Sequence, residues 1–148
     1  MLRMNGRASE LLSGTFVSVS WCHESELEEI LREGVGLHDN LLLLNKKMRP
    51  TKQLADALHD ETGVECFINH IHIDDYISLP DWSNYLLYSL YFAGRLKQEL
   101  SKFDLPCRII ISMVEGNNIS VRFHVLRNNQ IWLDDNIDVY EGAIIVIE

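Results

Sequence analysis

The stretch WSNYLLYSLYFAGRLKQELSKF, residues 82–103, decides how the rest of the chain is organised. Its first half is apolar on nearly every side, which indicates a helix buried against more than one neighbour. Asp81 precedes it and can cap it, because an N-cap carboxylate accepts hydrogen bonds from the first free backbone N–H groups. A stripe at helical spacing runs through it: Leu86, Leu90, Ala93, Leu96, Leu100 and Phe103. We therefore predict a long central helix at 82–103 that covers one face of a sheet.

Strands are predicted on both sides of this helix. Alternating and β-branched residues predict strands at 15–21, 64–77, 108–114 and 119–126, with a mostly apolar strand at 143–147. Capping and glycine signals predict further helices at 24–33 and 51–61, whereas the run 41–44 is too short to assign. The order of these elements predicts an α+β fold: a largely antiparallel sheet with helices packed on one face.

The composition is typical of one soluble globular domain, residues 1–148. No apolar run approaches the roughly 20 residues that a membrane span needs, and no apolar segment of a secretory signal follows the first arginines. Cys22, Cys66 and Cys107 lie far apart and form no CxxC pair, which suits reduced thiols. We therefore expect a cytoplasmic protein.

The charge is strongly negative, with a formal net charge of −9. Between Lys52 and Arg95 there is no lysine or arginine, and acidic residues dominate again after Arg127. Such a field repels nucleic acids and anionic membranes and favours basic partners. One short basic group opposes it: Lys46, Lys47, Arg49 and Lys52. It is too small for a nucleic-acid interface, so we predict a basic protein partner, no nucleic acid and no membrane.

Histidines at alternate positions suggest one metal-binding alternative. His70 and His72 would lie on the same face of a strand, roughly 7 Å apart. With Asp74, and with His124 from a second alternating strand, they could bind zinc or iron. The other interpretation is that they line the solvent-facing side of a sheet, and we expect no cofactor.

Nucleophilic catalysis finds little support in the sequence. Cys22 and His23 are adjacent on a predicted strand and would point to opposite faces. Cys66 with His70 has no stronger basis, because no oxyanion-stabilising turn is visible. The phosphate-binding, dinucleotide-binding, metalloprotease and hydrolase motifs do not occur. We therefore expect a binding protein and not an enzyme.

Residues 132–141, WLDDNIDVYE, place two aromatic residues among four acids without a lysine or arginine. One interpretation is a loop whose aromatic residues pack inward. The functional one is an interface in which aromatic anchors supply buried area and carboxylates pair with a basic partner. The candidate contacts are this segment and the acids before the long helix: Asp74, Asp75, Asp81, Trp132, Asp134, Asp135, Asp138, Tyr140 and Glu141.

The chain resembles, as a class, the bacterial immunity proteins of polymorphic and contact-dependent inhibition systems, which are small, acidic α+β proteins without catalytic motifs. Its tail, FHVLRNNQIWLDDNIDVYEGAIIVIE (123–148), is similar to tails of uncharacterised bacterial proteins of this size. The resemblance implies that the protein neutralises a cognate toxin, often a basic nuclease, by tight binding. Two alternatives stay open: a metal-dependent enzyme using His70, His72 and His124, and a structural or adaptor domain that homodimerises through a sheet edge or the tyrosine-rich helix.

Overall fold

The computed structural model describes residues 1–13, 25–47, 49–50 and 52–148. The first half contains β1 (Leu2–Met4), α1 (Gly6–Ser13), α2 (Ser25–Glu33), β2 (Val35–His38), β3 (Leu41–Leu44), α3 (Lys52–Leu58), α4 (Glu61–Ile68) and β4 (Ile71–His72). The second half contains α5 (Trp82–Leu100), β5 (Cys107–Val114), β6 (Asn118–Val125) and β7 (Ala143–Ile147), with short 3₁₀ turns at 73–75 and 137–139. The strand predicted at 15–21 lies outside the described residues.

The fold is α+β, as predicted. Five strands form one sheet in the order β1-β7-β5-β6-β4, every neighbouring pair being antiparallel, and β2 and β3 form a separate antiparallel pair. The helices bury one face of the large sheet, where Ile109, Ile111, Val121 and Phe123 pack in the main core. Among the described residues, no helix is long and apolar enough to cross a membrane.

Helix α5 lies against this core as its sequence indicated. Asp81 caps it, because its Oδ1 accepts a hydrogen bond from the Asn84 N–H at 2.9 Å. Leu86, Phe92 and Leu96 are buried on the sheet side. The helix ends at Leu100, so the predicted end at 103 was three residues too late. The Phe103 N–H bonds the Leu100 carbonyl at 3.1 Å in a tighter turn, which still lets Phe103 pack on the core.

The prediction of a strand at 64–77 was wrong over most of its length. The predicted helix at 51–61 ends instead at Leu58, and α4 begins at Glu61 because the Asp60 carboxylate caps Gly63 N–H at 2.7 Å. Gly63 lies inside the first turn of α4 and does not end a helix. A Cβ there would lie 2.7 Å from the Leu58 carbonyl oxygen, so glycine permits the close approach of the two helices. Only Ile71–His72 is a strand.

The short run Leu41–Leu44 is strand β3, and α4 joins it to the large sheet. Asn69, which follows α4, bonds the Leu44 N–H at 3.0 Å and the carbonyls of Leu42 and Phe123 at 2.8 and 3.2 Å. Its buried amide therefore pairs backbone groups of β3 and β6 that no neighbouring strand satisfies, which fixes the small sheet beside the large one.

The second face of the large sheet is covered by chain without regular strands. After β6, residues 126–142 cross this face, and Leu133 and Ile137 pack on Ile110, Ile144 and Val146. These three strand residues point away from the helices, because side chains alternate between the two faces of a sheet. The segment 131–141, named here the acidic segment, is thus a cover for the sheet.

Candidate functional site

Two of the histidines predicted as metal ligands lie close together on the sheet face that residues 126–142 cross. The rings of His70 and His72 have centroids 4.2 Å apart. The pairing of β4 with β6 places His72 opposite Ser120 and brings His70 beside Arg122. Arg122 Nη2 lies 2.7 Å from His70 Nε2, and the Arg122 guanidinium carbon lies 5.5 Å from the centre of the Trp132 ring. Arg122 thus connects His70, through a hydrogen bond, with Trp132 of the acidic segment, through a cation–π contact.

The surroundings of His70 keep it neutral. Burial, and then the positive charge of Arg122, lower its pKa to about 4. An arginine can only donate, so His70 Nε2 accepts its N–H and the proton of the ring lies on Nδ1. The lone pair that a metal would use on Nε2 is therefore already occupied.

The third predicted ligand is in a different place. His124 lies two residues beyond Arg122 on β6 and is paired in register with Arg108. Its Nδ1 bonds the Val125 carbonyl at 2.9 Å. Within the described ranges, no group of three or more histidine, cysteine, aspartate or glutamate side chains is arranged to hold a metal ion. His70, His72 and His124 thus do not converge on one point.

The two described cysteines are not activated thiols. Cys66 is fully buried, and burial raises its pKa to about 12. Burial also raises the pKa of Cys107. A thiolate, and not a thiol, is the nucleophile, so neither residue is prepared for attack near neutral pH. Cys22 lies outside the described residues.

The acidic segment exposes apolar side chains between carboxylates. Ile131 is 82% exposed, Trp132 39% and Val139 59%. Four acidic residues of the same segment are also exposed: Asp134, Asp135, Asp138 and Glu141. Tyr140 packs inward on the cluster beneath, so the inward-packing interpretation holds for this aromatic residue, and only partly for Trp132.

Three of the predicted contact residues in the segment also shape it. Asp134 Oδ1 accepts a hydrogen bond from the Asn136 N–H at 2.8 Å, and Asp138 Oδ1 accepts one from the Gly6 N–H at 3.0 Å. The Tyr140 hydroxyl accepts the Asp134 N–H at 3.0 Å. In contrast, the carboxylates of Asp135 and Glu141 form no hydrogen bond or ion pair with another described residue. These two carboxylates are therefore exposed and unpaired among the described residues.

Asn5 anchors the segment, and sequence reasoning missed it. Its buried side chain donates to the Gly142 carbonyl at 2.8 Å and to those of Ile137 and Tyr140 at 3.4 Å. Its Oδ1 accepts the N–H groups of Ala8 and Ile144, both at 3.0 Å. A lone asparagine near the N-terminus carries no sequence signal for bonds to residues more than 130 positions away.

The other three predicted acids lie elsewhere. Asp74 and Asp75 follow β4 at the sheet edge opposite β1, whereas Asp138 contacts the chain just after β1. Asp74 Oδ1 accepts the Ile119 N–H at 3.1 Å, and Asp81 caps α5, which covers the opposite face. Asp75 is exposed. None of these three acids belongs to the acidic segment.

Comparison with known proteins finds a family model that matches nearly the whole chain. The model of the family described as "Uncharacterized protein PM0498 family" matches residues 3–148. The chain belongs to the PM0498 family. A relative from Pasteurella multocida (strain Pm70), "Uncharacterized protein PM0498", is 34% identical over 76 residues. That match covers 48% of this chain and 46% of the relative. No solved structure matches significantly.

Proposed function

We propose that this protein is an acidic binding protein that engages a basic protein partner through the acidic segment. The observation that supports the proposal most directly is the exposure of Ile131 and Trp132 on a segment that also exposes Asp135 and Glu141 and whose backbone is already fixed. Exposed apolar side chains rimmed by polar ones are typical of protein interaction sites.

The fixed backbone favours tight binding. Association costs free energy for every loop that must be ordered, and a segment already held in place lowers that cost. Asn5 holds its end, Arg3 Nη1 donates to the Asp135 carbonyl at 3.0 Å, and Leu133 and Ile137 fasten it to the sheet. The apolar side chains then supply desolvated contact area, and the carboxylates raise the association rate of a cationic protein.

Within this proposal, the biological role is that of an immunity protein that blocks a cognate bacterial toxin. A nuclease toxin presents a cationic cleft for phosphate, and a protein of net charge −9 can occupy the same field. The proposal for the toxin rests on this charge and on the class-level resemblance of the sequence.

Affinity capture from cells of the source organism tests the proposal. The wild-type chain is compared with the double variant Asp135→Lys/Glu141→Lys, which reverses the two unpaired carboxylates and leaves Asp134 and Asp138 in their structural bonds. The matched control, Asp56→Lys/Asp104→Lys, makes the same charge change at exposed positions outside the segment. We expect one basic protein to be retained by the wild type and the control and lost by the segment variant. Equal retention by all three would reject the acidic segment as the interface.

The sheet edge at β1 supports a second candidate, a homodimeric adaptor. β1 is an edge strand, and Leu2 and Met4 are 52% and 37% exposed on it. An edge strand with exposed apolar side chains can pair with the same strand of a second copy. Sedimentation decides this: a dimer that dissociates in Leu2→Lys/Met4→Lys supports it, and a monomer at all concentrations rejects it.

A further inference from the structure

A groove of about 340 Å³ lies between the end of β6 and the start of the acidic segment. Its wall includes Arg108, His124, Arg127, Trp132, Asp134 and Asp135. It therefore adjoins the proposed protein interface and reaches a buried side chain of the sheet.

His124 gives the groove one unsatisfied polar atom. The residue is only 2% exposed, and its Nε2 has no hydrogen-bond partner among the described residues. Because Nδ1 lies 2.9 Å from the Val125 carbonyl, an acceptor, the ring proton lies on Nδ1. Nε2 then carries a lone pair that can accept a hydrogen bond. Since leaving a buried acceptor unpaired costs roughly 1–3 kcal/mol, the wall of the groove favours an occupant that brings an N–H or O–H donor.

The charges of the wall favour a cationic occupant. Arg108 Nη2 lies 2.6 Å from Glu148 Oε1, and Arg127 Nη2 lies 2.7 Å from Glu65 Oε1, so a carboxylate balances each guanidinium. Asp134 and Asp135 have no such counter-ion among the described residues. The formal charges of the two arginines and two aspartates that line the groove cancel, but only the aspartates lack an ion-pair partner among the described residues. These unpaired carboxylates are what a cationic occupant would meet.

We propose that the groove receives an arginine side chain of the basic protein partner. The inference rests on the proposed function and deepens it by naming the group that the partner inserts. A guanidinium offers five N–H donors in one plane, so it can bond His124 Nε2 and an aspartate of the wall at the same time. Its aliphatic stem then packs along Trp132 and Leu133.

Titration of the full-length chain with Nα-acetyl-arginine amide tests the site without the partner. The readout is the ¹⁵N signal of His124 Nε2, which moves when this nitrogen accepts a hydrogen bond. We expect a saturable shift with a Kd on the order of millimolar, as befits one isolated side chain. Nα-acetyl-citrulline amide keeps urea N–H donors but has no charge, and we expect it to bind at least about tenfold more weakly.

Two variants keep the test decisive. His124→Phe retains a planar ring without the acceptor, and Asp135→Asn removes one charge at an exposed position that does not endanger folding. We expect each to weaken arginine binding, with Trp132 fluorescence as the readout for the first.

Three results would overturn the inference: no saturable shift at about 50 mM probe, equal binding of the citrulline compound, or much tighter binding of free L-arginine, which would mark a small-molecule site. Failure here with intact, segment-dependent capture of the partner would remove the arginine site and leave the proposed function standing. Arginine binding without segment-dependent capture would reject the proposed function instead.

Discussion

The Glu65 carboxylate and the Arg127 guanidinium form a two-pronged ion pair, with both N–O distances at 2.7 Å. Glu65 is fully buried, and it also accepts the backbone N–H groups of Leu42 at 2.8 Å and Val125 at 2.7 Å. One side chain on α4 thus bonds β3, β6 and the chain after β6. This pair holds the start of residues 126–142, the chain that crosses the second face of the sheet, against the rest of the fold.

Removing the charge of Glu65 is expected to destabilise the protein strongly. In Glu65→Gln the amide cannot accept from all four N–H groups, and Arg127 loses its counter-ion. Breaking a buried pair in this way costs about 3–5 kcal/mol. Urea unfolding followed by circular dichroism measures it, with the exposed Asp56→Asn as the control that stays within about 0.5 kcal/mol. A loss below about 1 kcal/mol for Glu65→Gln would contradict the importance of the pair.

Stability is expected to fall in mild acid because of His70. Its pKa is about 4 in the folded protein and 6.5 ordinarily, so the unfolded chain takes up its proton at higher pH. The neutral His70 therefore contributes fully to the free energy of unfolding above pH 6.5. This contribution is lost as the pH falls towards 4, by up to about 3 kcal/mol.

His70→Gln should remove this part of the pH dependence, since glutamine can still accept the Arg122 N–H but does not titrate. His59→Asn, at an exposed histidine with φ +64, is the control, because asparagine tolerates that backbone conformation. The unfolding free energy is measured between pH 4 and 7. If the slope in His70→Gln equals that of the wild type, another group is responsible.

Asn5 is expected to control the order of the acidic segment. Asn5→Ala leaves buried carbonyls and N–H groups unpaired, which we expect to cost about 2–3 kcal/mol. Amide hydrogen exchange should then accelerate at Ala8 and Ile144, whose N–H groups bond Asn5 Oδ1. Asn5→Asp separates the two halves of the network, because it keeps the acceptor for these amides but loses the donors to the carbonyls. The exposed Asn128→Ala is the control, and unchanged protection in Asn5→Ala would refute the anchoring.

The buried thiols are expected to resist labelling. In a Cys22→Ser background, only Cys66 and Cys107 remain, and burial raises the pKa of both. A disulfide-exchange reagent at pH 8 should react at least about 100-fold more slowly with the folded protein than with the unfolded chain, because thiolate and access are both lacking. Rapid reaction of one thiol in the folded state would show an activated cysteine after all.

Local signals were sufficient for α5 and for the strands that follow it. The apolar stripe and the Asp81 cap identify the helix within the sequence itself, and β5 and β6 alternate around a turn. They failed at α4, where Ile71 and Ile73 suggested a longer strand. The bonds that Glu65 and Asn69 of this region make to distant backbone come only from the tertiary structure.

The sequence identified only part of the candidate site, because the rest also depends on tertiary contacts. Trp132 and its acidic neighbours are visible as an unusual composition, and the histidines as an alternating pattern. The sequence does not show that Arg122 would donate a hydrogen bond to His70 Nε2, or that Asn5 would anchor the acidic segment. Both contacts depend on strand register and on residues far apart in the chain.

The most direct test of the account is the affinity of the purified partner for the charge-reversed acidic segment. Calorimetry compares the wild type, Asp135→Lys/Glu141→Lys and Asp56→Lys/Asp104→Lys at low and high salt. The account predicts an affinity loss of at least about 100-fold for the segment variant, a much smaller loss for the control, and weaker wild-type binding at high salt. Equal affinities of the two variants would contradict the claim that this segment receives a basic protein.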